Sequence, residues 1–196
     1  MNENIMNDNP NYRPDVVCLQ KIISLEEIQK TNEIIKNKQQ DYLNLEDNPA
    51  PNVKKTSTVK FIRYEEVKNV LRKAFTCFTN INREFYGFNI FPNNDLTILH
   101  HNTYTSKNNS EYELHEDRFA GDTRDIKLTA IMNLSEVPYE GGEFIVYSNN
   151  EIRTIPEISE PGSILLLRHG VFHGVKPVTK GERMTLTFWP EGPVFV

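Results

Sequence analysis

Cysteine is almost missing from this chain: Cys18 and Cys77 are its only thiols in 196 residues. Two cysteines cannot build a disulfide framework or a cysteine-based zinc site, so a reducing compartment is the simpler reading. No apolar run approaches the roughly 20 residues that a membrane-crossing helix needs. The opening MNENIMNDNPNYRPD has neither the basic nor the apolar region of a secretion signal. A cytoplasmic protein without membrane attachment is expected. Basic runs are absent as well, and with a formal net charge of -5 the chain has little to offer a phosphate backbone, which disfavours nucleic acid as a partner. What is present, 38% hydrophobic, 25% charged and 10% aromatic residues, suits one globular domain that buries roughly 70% of its unfolded surface.

No internal repeat, low-complexity tract or second core divides the chain, so residues 1–196 read as a single domain. Residues 1–20 are expected to be a loose arm, because their Asn- and Pro-rich start shows no apolar period. Residues 21–90 are expected to be helical support. Ser24-Leu25-Glu26-Glu27 forms a capping box, and Leu25, Ile28, Ile35 and Tyr42 follow at helical spacing, which predicts a helix over 24–43. The stretch 46–58, EDNPAPNVKKTST, reads as a loop that is exposed unless it covers something. A second helix is predicted over 64–85, where Val67, Val70, Leu71, Ala74, Phe75, Phe78, Ile81 and Phe85 make one apolar face. That aromatic stripe reads as core packing rather than a cofactor box.

From residue 91 the period becomes two. Short β-branched or alternating runs at 96–104, 111–115, 126–134, 143–147, 151–155, 163–167 and 183–189 are separated by turn signals such as Gly141-Gly142, Asn149-Asn150 and Pro161-Gly162. Such a pattern predicts a mostly β core, a sandwich or jelly roll, with the helices against one face.

Four groups in that region carry chemistry when taken together. His115-Glu116-Asp117 ends a predicted strand, and residues two apart share a face, so His115 and Asp117 can converge while Glu116 points away. His173, 56 residues after Asp117, supplies a second imidazole. Two histidines and one carboxylate are the ligand set of non-haem Fe(II) oxygenases. Arg183 lies 10 residues beyond His173 on a predicted strand with Thr185 on the same face, and its planar fork suits a carboxylate. Tyr104, on the strand before the triplet, offers a phenol that can hydrogen-bond a carboxylate.

The order of these segments, YELHEDRF, DIKLTAIMNLSEVPYEGGEF, EPGSILLLRHGVFHGVKPV and TKGERMTLTFW, resembles the Fe(II)- and 2-oxoglutarate-dependent dioxygenases of the prolyl 4-hydroxylase-like group over Tyr104 to Trp189. The resemblance implies a double-stranded β-helix (jelly roll, cupin-like) core supported by two or more helices. It implies that His115, Asp117 and His173 hold Fe(II), that Arg183 binds the distal carboxylate of 2-oxoglutarate, and that Tyr104 and Thr185 assist. It further implies use of O2, with ascorbate as a reductant, and decarboxylation of 2-oxoglutarate to succinate coupled to hydroxylation of a prolyl or other amino-acid side chain, peptidyl or free. Collagen-type members carry lysine where this chain has Arg183, whereas oxygen-sensing and several bacterial members carry arginine, which argues against the collagen-type subgroup.

Other polar residues fit structural roles. Of the adjacent His100 and His101 at most one faces inward. His169, four residues before His173, is a weaker alternative ligand. Glu113 and Glu116 do not suit the ligand set, and Asp122 and Asp125, near Arg124, read as solvated turn charges. Two further functions stay open at this level: a non-catalytic jelly-roll binding module, and oxidation of a nucleic-acid base on the same scaffold. Substrate identity and oligomeric state are not legible.

Overall fold

The computed structural model describes residues 13–37, 52–118 and 123–195. Fourteen strands run in chain order as β1 (Val16–Leu19), β2 (Thr58–Arg63), β3 (Ile98–Thr105), β4 (Tyr112–His115), β5 (Asp125–Ile126), β6 (Leu128–Asn133), β7 (Glu140–Gly141), β8 (Phe144–Ser148), β9 (Glu151–Thr154), β10 (Ile164–Arg168), β11 (Phe172–Val175), β12 (Val178–Lys180), β13 (Glu182–Phe188) and β14 (Glu191–Gly192). Three α-helices, α1 (Leu25–Lys36), α2 (Tyr64–Val67) and α3 (Arg72–Ile81), precede most of them. A six-stranded antiparallel sheet has the order β1-β10-β6-β13-β3-β2, and a four-stranded sheet has the order β4-β11-β8-β9. These two sheets form the jelly roll, with the helices against the larger one.

Alternation along each strand decides what each face buries. Leu99, Met132, Ile164, Leu166, Leu186 and Phe188 of the larger sheet pack outward on Ile28 and Ile35 of α1 and on Ala74, Phe75, Phe78 and Ile81 of α3. Their neighbours Tyr104, Ile131, Leu165 and Leu167 turn inward onto Phe144, Val146 and Val175 of the smaller sheet. Each fully buried side chain of this size contributes roughly 1.5–3 kcal/mol. A strand covered on both faces needs apolar residues at every position, which explains the unbroken Ile164-Leu165-Leu166-Leu167.

Four expectations need correction. The arm over 1–20 is not loose throughout, since Val16–Leu19 forms β1 against β10; residues 1–12 lie outside the described residues. Helix α1 has the expected capping box at Ser24 and Glu27 but ends at Lys36, and 38–43 of the predicted span are outside the described residues. The single helix over 64–85 is instead α2, α3 and a π-helical turn at Asn82–Tyr86. The chain turns at Leu71, whose φ of -96° and ψ of 17° leave the helical region, so that Val67 and Leu71 both reach the core. The polar 46–58 stretch gives way at Thr58 to a strand, β2, that pairs with β3.

Candidate metal centre

Strands β4 and β11 are antiparallel neighbours, and His115 and His173 are direct partners across the ladder. Directly opposite residues project to the same side of a sheet, so both imidazoles enter the space between the sheets. Gly174 makes this approach feasible: a Cβ there would sit 2.7 Å from the Tyr112 carbonyl oxygen of β4.

Asp117 follows β4 by two residues and completes the cluster. Its Oδ1 lies 3.4 Å from His115 Nε2 and its Oδ2 lies 3.4 Å from His173 Nε2. One donor atom from each of the three residues falls within 4.8 Å of the others. Each imidazole is oriented from behind: Nδ1 of His115 is 2.8 Å from the Glu113 carbonyl oxygen, and Nδ1 of His173 is 3.0 Å from that of Val171. With Nδ1–H donating to a carbonyl, each Nε2 presents a lone pair to the cluster. The Thr129 hydroxyl donates to Asp117 Oδ2 at 2.6 Å, which leaves Oδ1 for another partner. Tyr112 stacks on His115 at 3.6 Å between ring centroids, and the Phe144 ring is 5.7 Å from His173.

The electrostatics suit a cation. Burial opposes ionisation of Asp117, but the two imidazoles beside it and the Thr129 hydrogen bond outweigh that and hold the carboxyl well below its usual range. Burial pushes His173 below its ordinary value, against the pull of Asp117, so the ring is readily neutral. A carboxylate and two imidazoles whose Nε2 atoms face it fit a divalent first-row ion and leave further positions open.

Arg183, on β13, is directly opposite Tyr104 on β3, with its guanidinium carbon 5.3 Å from the tyrosine ring centroid. The residue is 2% exposed and its Nε has no hydrogen-bond partner. Among the described residues no carboxylate pairs with it. Its side chain passes Gly142, where a Cβ would lie 3.2 Å from Arg183 Cδ. A buried cation without an acid is costly unless a ligand supplies the anion. Tyr104 belongs to the same inner cluster as Phe144, which links the arginine to the histidine side of the space between the sheets. Thr185 is buried on the face of Arg183, opposite Asn102 and Asn133.

The structure thus brings together His115, Asp117 and His173, and places Arg183, Tyr104 and Thr185 on the facing sheet. His169 is outside the cluster, 5.1 Å from the Phe195 ring. His100 packs edge-on between Phe61 and Trp189, while His101 is buried on the helix-covered side. Glu113 accepts a backbone N–H from Lys54 and Glu116 pairs with Arg118. Asp125 is not a solvated turn charge, since it accepts the Phe195 N–H at 2.6 Å; Asp122 is outside the described residues. Sequence spacing does not single out Thr129 or Tyr112, because their partners become neighbours only once the sheets pack and the rings stack.

Comparison with known proteins agrees with this geometry. Residues 99–191 match the model of the 2OG-Fe(II) oxygenase superfamily. No curated protein sequence matches the chain. Among solved structures it is similar to a prolyl-4-hydroxylase from Pseudomonas putida, with 19% identity and a TM-score of 0.66 over 90% of this chain and 91% of that one. It is also similar to the viral collagen prolyl hydroxylase of Paramecium Bursaria Chlorella virus-1, solved with 2OG, with 16% identity and a TM-score of 0.65 over 91% and 97%. A third is a prolyl hydroxylase from Trichoplax adhaerens, solved with a peptide of the hypoxia inducible factor oxygen degradation domain, with 15% identity and a TM-score of 0.61 over 90% and 83%. These likenesses establish a shared fold, and the family match covers the strands that carry the cluster and Arg183. Residues 99–191, a little under half of the chain, are thus similar in sequence to the 2OG-Fe(II) oxygenase superfamily.

Proposed function

We propose that the chain hydroxylates a prolyl or other amino-acid side chain, in a peptide or as the free amino acid, while 2-oxoglutarate is decarboxylated to succinate. The superfamily is one of 2-oxoglutarate-dependent dioxygenases, and Fe(II), 2-oxoglutarate and O2 are its cofactor and cosubstrates. In this reading His115, Asp117 and His173 hold the iron, and Arg183 grips the distal carboxylate of 2-oxoglutarate. Tyr104 and Thr185 assist Arg183, and ascorbate serves as reductant. The observation that carries it is the pairing of a His-Asp-His cluster with a buried arginine on the facing sheet that has no acid partner among the described residues.

Bound iron supplies the redox chemistry that activates dioxygen. The residues of the chain have narrower tasks. Glu113 and Val171 carbonyls hold the two imidazoles in the ligating tautomer. Thr129 fixes one carboxylate oxygen of Asp117 and so aims the other. Arg183 would hold the distal carboxylate of the cosubstrate by an ion pair, and Ile131, Leu165 and Val146, packed between the sheets, would keep water away from it.

A peptide or free amino acid is the proposed partner, supported by the peptide complex of the Trichoplax adhaerens enzyme. A cytoplasmic setting is proposed from the free state of Cys18 and Cys77; no helix of the described residues is long and apolar enough to cross a membrane. The test is a mass-spectrometric screen of peptides and free amino acids for a gain of one oxygen, with Fe(II), 2-oxoglutarate and ascorbate supplied. Succinate release that requires Fe(II) and disappears in His115→Ala is expected. No succinate from a chain that binds iron would overturn the reading.

A further inference from the structure

The two edges of the smaller sheet are finished differently. Along β4 the edge is closed by residues 54–56. Glu113 donates its backbone N–H to the Lys54 carbonyl at 3.0 Å, Thr56 donates to the Glu111 carbonyl at 3.1 Å, and Lys55 forms a bridge opposite Tyr112. Along β9 there is no backbone partner beyond β8 among the described residues, and all four residues are exposed. Such an edge is a template for another strand.

Hairpin geometry determines which groups that edge offers. Asn149 and Asn150, with φ of 54° and 63°, make the two-residue turn between β8 and β9, the type I′ pattern. Its flanking pair, Ser148 and Glu151, exchanges backbone hydrogen bonds, and the exchange recurs at every second pair. Val146 with Arg153 and Phe144 with Ile155 follow, the last confirmed by Ile155 N–H donating to the Phe144 carbonyl at 2.9 Å. Ile152 and Thr154 fall between these pairs. Their N–H and C=O groups therefore point away from β8, toward the open edge.

The side chains at that edge are apolar. Ile152 is opposite Tyr147, and Tyr147 is opposite Phe172. These three are 56%, 44% and 43% exposed, and they form one row across the outer face that ends at the edge. Contiguous exposed apolar side chains of this kind mark interaction surfaces.

We propose that β9 pairs antiparallel with β9 of a second copy about a two-fold axis at Ile152, so that two four-stranded sheets become one continuous sheet across a homodimer. In that register each Ile152 exchanges both backbone hydrogen bonds with Ile152 of the partner subunit. Glu151 stands opposite Arg153 of the partner subunit, and the symmetry repeats the pair. Opposite charges directly across a ladder are favourable, and a two-fold contact demands this self-complementarity. A parallel arrangement would set Glu151 beside Glu151 of the partner subunit instead. The apolar rows of the two copies join end to end across the axis.

Sedimentation equilibrium of the whole chain up to about 0.1 mM tests the proposal, with a dimer expected. Ile152→Pro removes an outward-facing N–H and trims one exposed side chain, so it should leave the melting temperature nearly in place while raising the dimer dissociation constant at least about tenfold. Arg153→Glu and Glu151→Arg each create like-charge pairs and should be monomeric alone. Mixed in equal amounts, those two variants should form a heterodimer. A wild-type chain that remains monomeric throughout, or a dimer indifferent to both Ile152→Pro and Arg153→Glu, overturns the proposal.

Discussion

Thr129 and Asp117 are joined by a 2.6 Å hydrogen bond that runs from β6 of the larger sheet to the residues after β4 of the smaller one. The bond occupies one oxygen of the carboxylate and so decides which oxygen is offered to a cation. Replacing Thr129 by Val should lower Fe(II) or Mn(II) affinity by about 10- to 100-fold, the usual effect of losing a group that orients a metal ligand. Thr129→Ser should retain most of it. Titration calorimetry with Mn(II) measures both.

Arg183 is expected to separate stability from function. With no acid paired to it among the described residues, the buried guanidinium costs stability in the absence of a dicarboxylate. Arg183→Met should therefore melt at the same temperature as the parent or higher when no ligand is added. The same variant should lose the thermal stabilisation that 2-oxoglutarate confers on the parent, and its apparent KM for 2-oxoglutarate should rise by about 100-fold or more. Calorimetric melts with and without 2-oxoglutarate distinguish the two effects.

His101 gives the fold an acid limb. Burial, with a smaller contribution from the charge of Lys60, pushes its pKa down from 6.5 to about 4. The folded chain thus resists protonation that the unfolded chain accepts. Stability is complete above about pH 6.5 and is lost progressively as the pH falls toward about 4, by about 3 kcal/mol in total. His101→Leu should flatten that part of the curve, measured as urea midpoints between pH 7 and pH 4.

Asn133 ties β6 to the turn at Pro156–Ser159. Its side-chain amide donates to the Ile158 and Ser159 carbonyls at 2.8 and 3.0 Å, and its Oδ1 accepts the Ser135 N–H at 2.9 Å. Asn133→Ala would leave these buried backbone groups without partners, at a cost of about 2–4 kcal/mol. Chemical denaturation reads this loss directly.

The legible and illegible parts of this molecule divide along a physical line. His115 and Asp117 could be placed together because residues two apart on a strand share a face, and Arg183 and Thr185 for the same reason. The capping box at Ser24 is equally local. By contrast, β2 (Thr58–Arg63) alternates poorly and is a strand because β3 lies alongside it. Strand β11 has four residues, one of them Gly174, and is too short for alternation to mark it. The break between α2 and α3 leaves the apolar spacing intact while turning the axis, which periodicity cannot register. Ile164 and Leu166 face the helices while Leu165 and Leu167 face the smaller sheet, and nothing within the run separates the two pairs. A run buried on both sides carries no sign of which side is which.

The direct pairing of His115 with His173 has an implication for how the site tolerates change. Their separation is set by the hydrogen-bond ladder between β4 and β11, before any ion arrives, so chelation should strip the ion and leave the imidazoles in position. The weak point is alignment rather than composition. One residue inserted into either strand would carry an imidazole to the opposite face of the sheet, and the ion-binding set would be dismantled with every ligand still present in the chain.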